Sequence, residues 1–189
     1  SGGYQAWSMA DINQLDEDGV TFKSIVDGSK IRMTPERSIE IQNNLGADII
    51  MAFDECTPYP ATRQQAGQGV RRTLQWMERC LKAHSRAEDQ ALFGIVQGST
   101  FPELREACAA SLVAMDCPGY AIGGVSVGEG HELLCQVTDH AAPLLPENKP
   151  RYLMGVGLPE DLIACIGYGI DMFDCVIPTR YARSATVFT

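Results

Sequence analysis

Ala91-Leu-Phe-Gly-Ile-Val-Gln97 is the stretch on which the fold turns. It is nearly continuous in hydrophobicity and stops at an amide, with Gly98 and Ser99 following. A strand buried on both faces of a parallel sheet reads this way, without the polar alternation of a half-exposed one. One similar run precedes it, Asp48-Ile-Ile-Met-Ala-Phe-Asp54. Three follow: Gly119-Tyr-Ala-Ile-Gly-Gly-Val125, Arg151-Tyr-Leu-Met-Gly-Val156 and Gly169-Ile-Asp-Met-Phe-Asp174. Amphipathic helix patterns separate them. Thr34-Pro-Glu-Arg opens one with a cap residue and a proline at the first helical position. Others cover Gln65 to His84, Leu104 to Met115, Gly130 to Leu145 and Pro159 to Tyr168.

Strand–helix repetition in units of a few tens of residues predicts an α/β fold. No G-x-G-x-x-G turn follows a strand, which counts against a dinucleotide-binding sheet. Polar or glycine residues end strand after strand: Asp54, Gln97, Gly123-Gly124, Gly155 and Asp174. A (β/α)8 barrel gathers all its strand C-termini around one mouth, where its active site lies. The expectation is therefore such a barrel, incomplete here, since a full one takes about 250 residues and this chain has 189. One segment departs from the pattern. Val20 to Met33 alternates about a central Asp27-Gly28 and predicts a β-hairpin inserted over the mouth. No linker, repeat or low-complexity tract divides the chain, so residues 1–189 are expected to form a single domain.

Composition narrows the function. The chain is 45% hydrophobic, enough for a sizeable core. No apolar run approaches the roughly 20 residues of a membrane span, and no signal peptide is expected at Ser1-Gly-Gly-Tyr-Gln5. A net charge of −9 argues against general polyanion binding. The seven cysteines include no C-x-x-C pair and read as reduced thiols of a cytoplasmic protein. His84, His131 and His140 fall in or beside helices and read as surface or capping residues.

Chemistry is suggested by Asp171-Met-Phe-Asp174-Cys-Val-Ile-Pro-Thr-Arg180. Asp174 stands where a buried strand emerges, followed by Pro178, expected to break a helix, and by Arg180 and Arg183. A carboxylate there can attack carbon, and the arginines can hold phosphates. If the strand ends converge, Asp54 can accept both N1–H and N2–H of a guanine-like base. Gln97 can donate to its carbonyl, as can the backbone N–H of Gly124. Tyr4 and Met154 offer surfaces for stacking. Asp174 would then attack the anomeric carbon, as in retaining glycosidases, and a second base would complete an exchange. Taken singly, each residue has a plainer reading: a turn start, a helix entry, a packing glycine, a core tyrosine.

The stretches Ser1-Gly-Gly-Tyr-Gln5, Phe53-Asp-Glu-Cys-Thr-Pro-Tyr-Pro60, Phe93-Gly-Ile-Val-Gln-Gly98, Ala121-Ile-Gly-Gly-Val-Ser-Val-Gly-Glu129, Tyr152-Leu-Met-Gly-Val-Gly157 and Phe173-Asp-Cys-Val-Ile-Pro-Thr-Arg180 run in order along the chain. Together they resemble the bacterial tRNA-guanine transglycosylases, also called queuine tRNA-ribosyltransferases. The resemblance implies exchange of guanine for 7-aminomethyl-7-deazaguanine at the wobble position of tRNAs with GUN anticodons, in queuosine biosynthesis. It makes Asp174 the nucleophile. It places Ser1, Gly2, Gly3, Tyr4, Asp54, Cys56, Gln97, Gly124, Val125, Glu129 and Met154 around the base. Val127 and Cys56 fit the bacterial type, and Glu129 adapts the pocket between bases. The tRNA-contacting segments are Gly155-Val156-Gly157-Leu158-Pro159-Glu160-Asp161 and Thr179-Arg180-Tyr181-Ala182-Arg183. The family's general acid/base is an Asp just before the Ser-Gly-Gly motif, a position outside this sequence. Its structural zinc ligands fall beyond Thr189, so no cofactor is expected on this chain. The resemblance also implies a homodimer for the full-length protein. Ser184-Ala185 departs from the usual Asn-Gly.

A different barrel enzyme, an aldolase or a metal hydrolase, would want a lysine or a histidine cluster at a strand end. No strand here ends that way. A non-catalytic binding subunit would be expected to have lost the nucleophile, whereas Asp174 is present.

Overall fold

A computed structural model describes residues 14–188. Five strands, β4 (Ile49–Met51), β5 (Ala91–Val96), β6 (Tyr120–Ile122), β7 (Arg151–Leu153) and β8 (Met172–Phe173), form one parallel sheet in the order β4-β5-β6-β7-β8. Sequence neighbours are neighbours in space throughout. A doubly wound sheet reverses its order at a switch point; a barrel never does. The sheet is thus a curled run of five strands of an incomplete (β/α)8-type barrel. Among the described residues, β4 and β8 are its edges.

The helices follow the predicted order with shifted ends: α1 (Pro35–Leu45), α2 (Arg63–Ala83), α3 (Pro102–Ala114), α4 (His131–Ala141, continued by a 3-10 turn over Ala142–Leu144) and α5 (Pro159–Gly167). Local chemistry sets the ends. The Thr34 hydroxyl accepts from the Arg37 N–H at 3.2 Å, and Gly46 closes α1 at φ 73°. Thr62 and Gln65 form a reciprocal capping box that starts α2 two residues earlier than hydrophobic periodicity suggested.

One helix was not anticipated. Pro178 does not break a helix but lies in the first turn of α6 (Ile177–Arg183). A proline is tolerated there because its missing N–H would have no intrahelical partner.

The hairpin forms, as β2 (Val20–Lys23) against β3 (Lys30–Met33), with β1 (Gln14–Leu15) as a third antiparallel strand. Its connection is not a two-residue Asp-Gly turn. It spans residues 24–29, closed by Ser24 N–H to Ser29 O (2.8 Å) and Gly28 N–H to Ser24 O (2.9 Å), with Gly28 at φ 72°. The sheet is fastened mainly to the flank of α2. Trp76 Nε1 donates to Glu17 O at 2.8 Å, and Arg71 and Arg72 bind the Glu17 carboxylate. Phe53, just past β4, stacks on Trp76 with ring centroids 4.9 Å apart.

The strands sort their side chains by a period of two. Leu92, Val96, Tyr120, Ile122 and Leu153 enter the large core together with Cys108 and Leu112 of α3, Leu134 of α4 and Cys165 of α5. Phe93, Ile95, Ala121, Tyr152, Met154 and Met172 form a separate cluster with Met51. Two residues further along, the same register brings Gln97, Gly123 and Asp174 to the strand ends. The packing is tight at Gly119, where an added Cβ would lie 2.3–2.6 Å from three Phe93 ring carbons. Gly119→Ala is expected to lower the unfolding free energy by roughly 1–3 kcal/mol through overpacking. Urea denaturation checks this, and a wild-type midpoint in the variant would contradict it.

Candidate active site at the strand ends

Asp54 and Gln97 end adjacent strand segments and meet. Gln97 Nε2 donates to Asp54 Oδ2 at 2.7 Å, and the two residues are 1% and 5% exposed respectively. Burial raises the Asp54 carboxyl to about 6, and the Gln97 bond opposes the rise. Asp54 is therefore mostly ionised at neutral pH, in a site where a charge is costly. The Gln97 carbonyl, Oε1, is buried with no hydrogen-bond partner among the described residues.

Gly123 and Gly124 form the adjoining wall. A Cβ on Gly123 would sit 2.7 Å from Gln97 Nε2, and one on Gly124, at φ 65°, 2.5 Å from Gln97 Oε1. Only glycine lets the Gln97 amide lie against the backbone here. Cys56 stands beside this wall. Its thiol is pushed up to about 12, first by burial and then by the charge of Asp54. It is a neutral thiol at any physiological pH. Val125 is buried next to Gly124. Glu129 accepts from the backbone N–H groups of Ser126 and Val127, the latter at 2.8 Å, and so shapes the loop after β6. The Ser126 hydroxyl then donates to Gly155 O at 2.9 Å, joining that loop to the one after β7.

Asp174 follows β8 and is exposed. Its Oδ1 accepts from the Tyr152 hydroxyl at 2.7 Å and from the Gly155 N–H at 2.8 Å. One oxygen is thus held, while Oδ2 has no hydrogen bond from the described residues. Burial, together with the Asp174 acceptor, raises the Tyr152 phenol above its ordinary range, so it remains a donor. Met154 is half-buried in the same cluster as Tyr152.

The remaining predicted positions divide. Gly155, Glu160, Thr179, Arg180, Ala182 and Arg183 are exposed, whereas Leu158, Pro159 and Tyr181 are half-buried. Val156, Gly157 and Asp161 turn inward. Asp161 takes His131 Nδ1 at 2.5 Å, so it faces α4 instead of solvent. Ser1, Gly2, Gly3 and Tyr4 lie outside the described residues. All seven cysteines are free thiols, and no group of three or more His, Cys, Asp and Glu among the described residues is placed to hold a metal ion. No described helix is long and apolar enough to cross a membrane.

Two residues escaped the sequence reading. Tyr152 is legible in retrospect, because it lies two positions before Met154 on the same strand face. Arg105 stands at the head of the buried α3 stripe Arg105, Cys108, Ala109, Leu112, an i, i+3, i+4, i+7 spacing that marks it as an inward-facing cation. If the base exchange that the sequence resemblance implies runs through Asp174, Tyr152→Phe in the full-length protein is expected to lower kcat about 10-fold through loss of one bond to a charged group, with KM for the base unchanged. Steady-state kinetics with varied base decide it; a change confined to KM would contradict it.

Polar groups gathered where successive parallel strands end define this as a (β/α)8-type barrel protein with a strand-end site. Residues 1–189 match the family described as Queuine tRNA-ribosyltransferase. A queuine tRNA-ribosyltransferase of Cyanothece sp. (strain PCC 7425) is 58% identical over 183 residues, covering 97% of this chain and 48% of the relative. That of Nostoc sp. (strain PCC 7120) is 58% identical over 186 residues, 98% of this chain and 50% of the relative. That of Bacillus cytotoxicus is 56% identical over 189 residues, 100% of this chain and 50% of the relative. The chain belongs to the queuine tRNA-ribosyltransferase family, and it spans about half the length of these relatives.

Proposed function

We propose that this chain carries the base-reading pocket and the nucleophile of a tRNA-guanine transglycosylase. The enzyme replaces guanine at the wobble position of GUN anticodons with 7-aminomethyl-7-deazaguanine. The observation that carries the reading is the buried Asp54–Gln97 pair, set against two glycines at one strand end, with the oriented carboxylate of Asp174 two strands on. A guanine-type base needs an acceptor for its N1–H and N2–H and a donor for its carbonyl. Asp54 supplies the first. The second proton of the Gln97 amide and the backbone N–H of Gly124 supply the second. Each carboxylate oxygen has two lone pairs, so Asp54 can keep Gln97 while accepting from the base.

The reaction is a double displacement. Asp174 Oδ2 attacks C1′ of the nucleotide as the C1′–N9 bond breaks. The bond electrons leave with guanine, which takes a proton on N9. The ribosyl–aspartate ester is then attacked at C1′ by N9 of the incoming base, which gives up its proton, and the carboxylate is released. Tyr152 and Gly155 hold Oδ1, which steers Oδ2 toward the sugar. Proton transfer falls to the aspartate that the family resemblance places before Ser1. The full-length protein would act as a homodimer, and Arg180 and Arg183 on α6 would meet the tRNA backbone beside the exchanged nucleotide.

Incorporation of labelled guanine into a GUN-anticodon tRNA tests the reading. Uptake that a change of anticodon abolishes is the expected result. Equal uptake into any tRNA, or none from the full-length protein, would overturn it.

A further inference from the structure

We propose that Arg105 is a positioning residue that aims the backbone N–H groups of the Gly123–Val125 segment at the carbonyl of the bound base. The inference rests on the base-exchange reading above. Arg105 is 1% exposed, and among the described residues its guanidinium donates hydrogen bonds to backbone carbonyls alone. Nε donates to Ser99 O at 2.7 Å and Nη1 to Val96 O at 3.4 Å, both flanking Gln97. Nη2 donates to Gly123 O at 3.0 Å and Gly124 O at 3.3 Å. One side chain of α3 therefore fixes the ends of both β5 and β6.

The consequence follows from peptide geometry. In a trans peptide the carbonyl of one residue and the N–H of the next point in opposite directions. When Arg105 captures Gly123 O and Gly124 O, the N–H groups of Gly124 and Val125 must point away from α3. For Gly124 that is the side on which Cys56 lies. The Gly124 N–H indeed lies close enough to Cys56 to favour its thiolate. A carbonyl oxygen bound there meets preoriented dipoles, backed by a buried guanidinium that the Glu129 carboxylate faces without a hydrogen bond among the described residues. The substrate feature recognised is an exocyclic carbonyl on a purine-like ring, as distinct from the N–H pair read by Asp54. Hydrophobic periodicity alone would have put Leu or Met at position 105, and burying an arginine there is costly without such a use.

The test compares two bases in the intact protein, guanine and 2-aminopurine, which lacks the carbonyl and also N1–H; the lost N1–H contact to Asp54 weakens it alike in every variant, so the change on substituting Arg105 is what is read. Equilibrium affinities are measured for wild type, Arg105→Met and Arg105→Lys. Arg105→Met is expected to weaken guanine by ~30-fold while leaving 2-aminopurine within about 3-fold, because only the carbonyl contact depends on the aimed donors. Arg105→Lys keeps the buried charge but not the fork, and should fall between, at ~5-fold. If Arg105→Met does not fold, the Lys variant's guanine-to-2-aminopurine ratio decides. Equal weakening of both bases, or a wild-type ratio in a folded variant, would mean that Arg105 only supports the fold. Wild type that does not bind guanine would remove the base-exchange reading itself, and this inference with it.

Discussion

Asp174→Asn is expected to abolish transfer, with kcat falling by about 10⁴-fold or more, as for loss of other covalent nucleophiles. The amide keeps an oxygen that can accept from Tyr152 and Gly155, so the fold and the pocket should survive. What disappears is the anionic oxygen that the proposed mechanism directs at C1′. Base affinity should stay within about 3-fold of wild type, because the hydrogen bonds of Asp174 among the described residues go to Tyr152 and Gly155, on other strand ends than Asp54 and Gln97. Single-turnover transfer and equilibrium base binding measured side by side separate these effects. Loss of base binding together with transfer would show that Asp174 shapes the pocket and would contradict its assignment as nucleophile.

The second large effect belongs to Asp54. Its carboxyl is raised from 3.8 to about 6 by burial, so the folded protein holds this proton more tightly than the unfolded chain does. The sign follows from linkage. Between these two values the native state binds more protons, so stability falls as pH rises, and the cost is fully present above about 6. Asp54→Asn removes the charge and should stabilise the empty protein at pH 7.5 by about 2–3 kcal/mol. The same change should weaken guanine by ~100-fold, since a neutral amide cannot accept from both N1–H and N2–H. In wild type, guanine affinity should rise by ~10-fold from pH 5 to 7.5 as the carboxyl ionises. Thermal melts and binding titrations across this range check all three statements. A flat pH profile of affinity would mean that the base is not read by the ionised carboxylate.

How much of this was legible in the chain varies with physical scale. The barrel winding could be read because β5 and its neighbours are buried on both faces and interrupted by well-capped helices. Thr34-Pro35 and Pro159 mark their helix starts in the sequence. The start of α2 was displaced because periodicity begins beside the first buried residue, Ala66, whereas the Thr62 capping box acts earlier. Pro178 misled for a similar reason, since a proline's effect depends on whether it falls in the first turn or in the interior. The Asp27-Gly28 signal predicted the hairpin correctly but not its longer connection, which Ser24 and Asp27 side chains organise.

The candidate site's strand-end positions were legible where a polar residue ends an apolar run, as at Asp54, Gln97 and Asp174. It was not legible where a side chain acts through backbone groups. Among the described residues Arg105 donates to backbone carbonyls alone, so no partner residue type betrays it. Tyr152 reads as a core aromatic until its hydroxyl is seen on Asp174. Asp161 has a structural partner that its sequence position does not announce. A segment matched to tRNA contacts places this carboxylate under His131, where it joins α5 to α4.

The central claim is that a ribosyl group becomes bonded to Asp174. It is tested most directly by incubating the full-length protein with a GUN-anticodon tRNA, denaturing, and mapping the RNA-linked peptide by mass spectrometry. The account predicts a covalent protein–RNA species whose linkage lies within Phe173-Asp174-Cys175, absent in Asp174→Asn and discharged by added guanine. Transfer that proceeds with no trappable adduct, or an adduct on another carboxylate, would contradict it.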